Sequence, residues 1–146
     1  MNRLGTIGKV LQLKESREEE IECEVRALRN ALSADQTRLG ILENSYMDTL
    51  EMFNRKQREG RLAPHEMGIF YSYFFHLNIE MEGKKADIAR ILSELDARQG
   101  ALVAAHIETR VVESLKDRRS REYEKEDARR ERKEMDFISS TRRVER

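Results

Sequence analysis

Three histidines and one cysteine are the residues best suited to ligate a metal or attack a substrate in this chain. His65, His76 and His106 stand apart, without the short spacing that places imidazoles around one ion. Cys23 is alone, so neither a disulfide framework nor a cysteine-based zinc site is available. A lone thiol fits a reducing compartment. No Gly-rich phosphate loop, nucleophile elbow or Ser/His/Asp set occurs. The spacing therefore predicts a protein without catalytic residues, metal or cofactor. The histidines are expected to be surface side chains.

The elements that would carry such residues are legible from periodicity. Stepping by three and four from Leu4 reaches Ile7, Leu11, Ile21, Val25, Leu28 and onward to Phe53, with eleven of fifteen positions apolar. That is the heptad rhythm of a coiled coil, in which side chains at those positions pack knobs into holes. The rhythm restarts at Met67 and runs through Phe70, Phe74, Leu77 and Ile91 to Tyr123, with twelve of seventeen positions apolar. Between the two stretches lies QREGRLAPHE. Gly60 suits the left-handed residue that ends a helix, and Pro64 suits the first turn of the next.

The fold predicted is all-α: two long helices forming an antiparallel coiled-coil hairpin, the second overhanging the first. Helix 1 is expected at about residues 4–58, the turn at 59–63 and helix 2 at about 64–140, in a single domain over 1–146. Folding at residue 61 pairs residue i with roughly 122−i. At 1.5 Å per residue the paired part is on the order of 80 Å long. Residues 119–146 then have no partner helix.

Composition agrees with this form. The chain is 38% charged and 38% hydrophobic, with 28 basic and 28 acidic residues, where a globular domain averages about 25% charged. Zero net charge gives no pull toward nucleic acid or an anionic membrane. No run approaches the ~18 apolar residues of a membrane span. Lys9 and Lys14 break the N-terminal apolar stretch, which is thus no signal peptide. The expected location is the cytoplasm.

Three further features shape the reading. Lys14, Glu18, Asp35, Lys84, Arg98 and Thr109 interrupt the seam, either fixing register or lining a partner surface. An interrupted seam predicts a marginally stable, flexible rod. Gly40 and Gly83 fall near each other under the folding rule, so they either permit a bend or close backbone approach there or are simply tolerated surface glycines. The run Phe70-Tyr71-Ser72-Tyr73-Phe74-Phe75 holds five of the nine aromatics. Phe70, Tyr73, Phe74 and Leu77 share a helix face, with Tyr46, Leu50 and Phe53 across the turn. Two helices bury one face each, so this cluster is either a thickened core or an exposed patch for a partner protein.

The tail adds a second surface. Sixteen of the nineteen residues from Lys116 to Glu134 are charged, in mixed sign. Attractive i,i+4 pairs such as Asp117–Arg121 and Glu126–Arg130 nearly cancel against repulsive ones such as Arg121–Lys125. The overhang is expected to fray unless a partner holds it. Nucleic-acid binding by this segment, with twelve basic and nine acidic residues over 116–146, is a weak alternative. A generic structural or tethering coiled coil is the other.

With these features the chain resembles the FliJ family, soluble components of the bacterial flagellar type III export apparatus. The resemblance lies in the heptad first helix, the short Gly-containing turn and the aromatic-rich start of a longer second helix. It extends to Leu115 followed by Arg118, Arg119, Arg121 and Tyr123, and to Met135-Asp136-Phe137 near the end. It implies a non-enzymatic, stalk-like hairpin linking a hexameric flagellar export ATPase to a membrane export-gate protein and escorting export chaperones. It implies a cytoplasmic location at the inner membrane, held through the export apparatus, and a part in motility and chemotaxis. The family's gate-contacting residues near the turn correspond to Tyr46, Leu50, Phe70, Tyr73 and Leu77. At Leu50 the chain departs from the family, which often has a second Tyr there.

Overall fold

The computed structural model describes residues 2–144, with side chains from Leu4 onward. It is a helical hairpin: α1 spans Asn2–Arg58 and α2 spans Pro64–Val144. Among the described residues there is no strand. Neither helix contains an interior proline, the residue that would remove a backbone donor and kink it.

The turn is set by its own residues. Gly60 has φ 69°, a conformation that strains any residue with a Cβ. The Arg61 amide donates to the Lys56 carbonyl at 3.0 Å, and the Gly60 amide donates to the Gln57 carbonyl at 3.3 Å. These two bonds are a Schellman motif, which satisfies the carbonyls left open by the last turn of α1. Arg55, Lys56 and Arg58 lie in that turn and complement the helix dipole. Pro64 then opens α2, where its missing N–H leaves no bond unmade.

The chain forms two compact units. The turn unit, Glu22–Gly100, contains the bend and the helix arms on either side. The terminal unit comprises Met1–Ile21 and Ala101–Arg146. In each, the helices run antiparallel. Ion pairs in the turn unit join Lys56 to Glu66, Arg38 to Glu80, Asp35 to Lys84 and Glu24 to Arg98. In the terminal unit Glu18 meets His106 and Lys14 meets Glu108.

The cores differ in content. The turn unit buries Val25, Leu42, Phe53, Phe74, Leu77, Ile91 and Leu95, all at heptad positions. The terminal unit buries Ile21, Ala105 and Thr109. From residue 124 to Val144, α2 is helical and wholly exposed. Glu145 and Arg146 of the expected overhang lie outside the described residues.

The glycines inside the helices mark no close approach. A methyl group added at Gly40 or Gly83 would meet nothing within 4 Å. Of the two readings of this pair, the close backbone approach does not form, and the glycines are simply tolerated in the helices.

Candidate functional site

The aromatic run folds into the turn unit as two populations. One lies inside the seam. Phe74 packs on Tyr46 at 5.0 Å between ring centroids and on Phe53 at 6.1 Å, with the latter rings edge to face. Phe70 meets Phe53 edge to face at 5.3 Å. Such tilted contacts set the positive ring edge against the negative face and add about 0.5–1.5 kcal/mol to simple burial. Lys56 Nζ lies 5.8 Å from the Phe70 centroid and 3.5 Å from Glu66, so a cation–π contact and an ion pair close this end of the core.

The other population faces water. Tyr73 is 43% exposed, and Ile69, Tyr71, Phe75 and Ile79 are more than half exposed. Tyr71, Phe75 and Ile79 recur at intervals of four, which aligns them along one flank of α2. Tyr71 also leans on Phe53 at 5.8 Å, so this flank is continuous with the core beneath it. Met47, exposed on α1, adds a flexible apolar side chain to the same unit.

The five residues expected to meet a partner are thus distributed from core to surface. Leu77 is buried at 6% exposure, Tyr46, Leu50 and Phe70 are half-buried, and Tyr73 is exposed. Tyr73 is about 100° around the helix from Phe74, at the edge of the arc that α1 can cover. It therefore does not share the burial of Phe74 and Leu77. The flank of Tyr71, Phe75 and Ile79 is the part of the surface that the five-residue set leaves out. Its sequence signal is the four-residue repeat.

Each of the six polar seam residues is matched. Lys84 Nζ is 3.2 Å from Asp35 and Arg98 Nε is 3.2 Å from Glu24. Lys14 Nζ is 2.9 Å from Glu108, and Thr109 Oγ1 donates to the Ala105 carbonyl at 3.0 Å. The Lys84–Asp35 pair is partly buried, and exposed pairs such as Lys14–Glu108 contribute about 0.2–1 kcal/mol each. Their consistent spacing favours a role in fixing register.

Glu18 and His106 form a pairing that the one-dimensional pattern does not show. His106 Nδ1 lies 2.7 Å from a Glu18 carboxylate oxygen, with the carboxylate largely covered. The hydrogen bond to His106 holds the Glu18 carboxyl below its ordinary range. Desolvation opposes this, while the neighbouring Thr109 hydroxyl and the His106 charge reinforce it. The signal was available only in two dimensions: the residue numbers sum close to those of the other cross-helix pairs.

Among the described residues, no group of three or more His, Cys, Asp or Glu is placed to hold a metal ion. No helix there is long and apolar enough to cross a membrane. Cys23 is free and exposed. What the arrangement offers is a pair of helices with an exposed aromatic flank and long charged faces. Comparison with known proteins gives one family: the model described as Flagellar FliJ protein matches residues 4–145. No curated protein and no solved structure matches the chain.

Proposed function

The chain belongs to the FliJ family of flagellar proteins, and from that membership we propose that this component of flagellar export works as a stalk-like coiled coil. In this reading it links the hexameric export ATPase to the membrane export-gate protein and escorts export chaperones. It acts at the inner membrane from the cytoplasmic side and performs no catalysis of its own. The observation that carries the reading is a family match over nearly the whole chain, 4–145, on a chain that is one helical hairpin.

The mechanism follows from how helices bear load. Paired helices resist bending better than one, so the turn unit transmits orientation between the bodies at its ends. Its exposed aromatic flank, with Tyr73 beside it, supplies the gate-binding surface, since aromatic anchors dominate protein contacts. The N-terminal segment and the charged tail enter the ATPase ring. Mixed charge gives the tail many weak polar contacts, which suits movement against a pore.

The test is a pull-down of the full chain with the export ATPase, scored for stimulated ATP hydrolysis. Stimulation is the expected result; absence of both binding and stimulation contradicts the reading. For the gate surface, Tyr73→Ala should weaken binding to the gate protein while circular dichroism stays unchanged. Unaltered gate binding by a double Tyr73→Ala, Phe75→Ala chain removes this surface from the account.

A further inference from the structure

In the terminal unit the outer face of α2 carries an apolar ridge that nothing in the unit covers. Val103, Ile107, Val111 and Leu115 succeed one another at intervals of four, and all four are exposed. Ala105, Thr109 and Val112 supply the seam of the same stretch, so the ridge is not needed for pairing with α1. Ile107, Val111 and Leu115 line a shallow groove between Arg110, Ser114 and Arg118. No carboxylate lines it.

The charges around the groove are unbalanced. Glu108 is engaged by Lys14 at 2.9 Å. Glu113 stands three residues from Arg110 and Glu122 four from Arg118, but among the described residues neither pair closes. Among the described residues, no ion pair engages Arg110 or Arg118. An apolar strip is thus flanked by two guanidinium groups without carboxylates, each able to take one in a forked, two-bond geometry.

The spiral of the ridge restricts what can lie on it. Each step of four advances about 40° around the helix, so Val103 and Leu115 are about 120° apart. A flat bilayer surface offers no ridges and grooves to complement this spiral. A second copy placed symmetrically on the same face would set Arg110 and Arg118 against their own counterparts, which like-charge repulsion opposes. A helix presenting its own i, i+4 ridge fits, because such ridges interlock with an interaxial angle of about −50°.

We propose that this ridge docks an amphipathic helix of a partner protein, apolar at four-residue intervals and bearing carboxylates that meet Arg110 and Arg118. The helix crosses α2 obliquely and does not extend the hairpin as a third parallel strand. The assignment rests on this surface alone and is independent of the stalk reading.

The test titrates the full chain against a fluorescent peptide of about 18 residues, long enough to form helix, with Leu at i, i+4 and i+8 and Glu on both flanks. An isomer with Lys in place of Glu is the control. The Glu peptide should bind saturably and the Lys peptide should not. Ile107→Gln with Val111→Gln should weaken binding at least about tenfold. Arg110→Glu with Arg118→Glu should transfer binding to the Lys peptide. These positions are exposed, so circular dichroism should not change. No binding, equal binding of both peptides, or binding indifferent to Ile107→Gln and Val111→Gln overturns the proposal. So does a dimer in sedimentation, or adsorption to phosphatidylglycerol vesicles, that the same double variant abolishes; those results give the ridge to a second copy or to a membrane.

Discussion

The turn unit and the terminal unit are built from the same two helices on the same heptad plan, yet they are held together differently. In the turn unit the seam is filled by Phe53, Phe74, Leu77, Ile91 and Leu95, and interlocking rings add directional contacts near the bend. In the terminal unit the buried positions are Ile21, the small Ala105 and the hydroxyl-bearing Thr109, and among the described residues no aromatic pair reinforces them; cross-helix ion pairs occur in both units. Small and polar seam residues bury less apolar area per turn, and burial supplies about 25 cal/mol per Å². The difference teaches that heptad spacing sets topology, while the side chains at those positions set how firmly each stretch is held.

The comparison can be broken most severely at Phe74. Phe74→Ala should cost about 3–5 kcal/mol, because it removes a buried ring and leaves a cavity between Tyr46 and Phe53. Urea unfolding followed by circular dichroism measures it. Leu77→Ala, at another buried position, should cost about 2–5 kcal/mol. A much smaller loss in both would mean that the turn unit is no better packed than the terminal one.

The glycines give a pair of opposite sign. Gly60→Ala should destabilise by about 1 kcal/mol, since φ 69° is unfavourable for a residue with a Cβ. Gly83→Ala should stabilise by about 0.5–1 kcal/mol, because a methyl there meets only open space and alanine is the better helix former. Melting temperatures of the two variants check both signs.

The smallest effect is confined to the terminal unit and to acid. The folded-state pKa of Glu18 is depressed, so its contribution is present above the unfolded-state pKa and is lost as pH falls through the folded one. Wild-type protection of amides near residues 14–21 should therefore decline in that acidic window, while Glu18→Gln should show no such decline. His106→Ala should move the Glu18 titration, followed by NMR, back toward the ordinary carboxylate range. A Glu18 titration unmoved by His106→Ala would contradict the pairing.

The fold was legible because its determinants are local or periodic. The steps of three and four from Leu4 and from Met67, with Gly60 and Pro64 between them, specify two helices and a reversal without any knowledge of packing. The aromatic surface was legible only in part. Helical angle separates Phe74 from Tyr71, but Tyr73 lies at the margin, and its exposure depends on how wide an arc the facing helix covers. Leu77 shows the reverse: the heptad step places it in the seam, where it is buried, whereas the family resemblance counts it among partner-contacting residues. The Glu18–His106 pair escaped because neither residue is distinctive alone, and only the register of the two helices brings them within 2.7 Å. The ridge of Val103, Ile107, Val111 and Leu115 escaped for a related reason. Its four-residue step runs across the heptad rhythm and is hidden when only the seam is followed.

Hydrogen exchange resolved along the chain, read by mass spectrometry, tests the contrast between the units most directly. Amides of 22–58 and 64–100 should exchange slowly and together, as one cooperative unit. Amides of 2–21 and 101–120 should exchange faster, and those of 121–144, where α2 has no facing helix, fastest of all. Equal protection across both units, or slower exchange in the terminal one, would contradict the claim that side-chain content at the seam divides this hairpin into a firm half and a loose half.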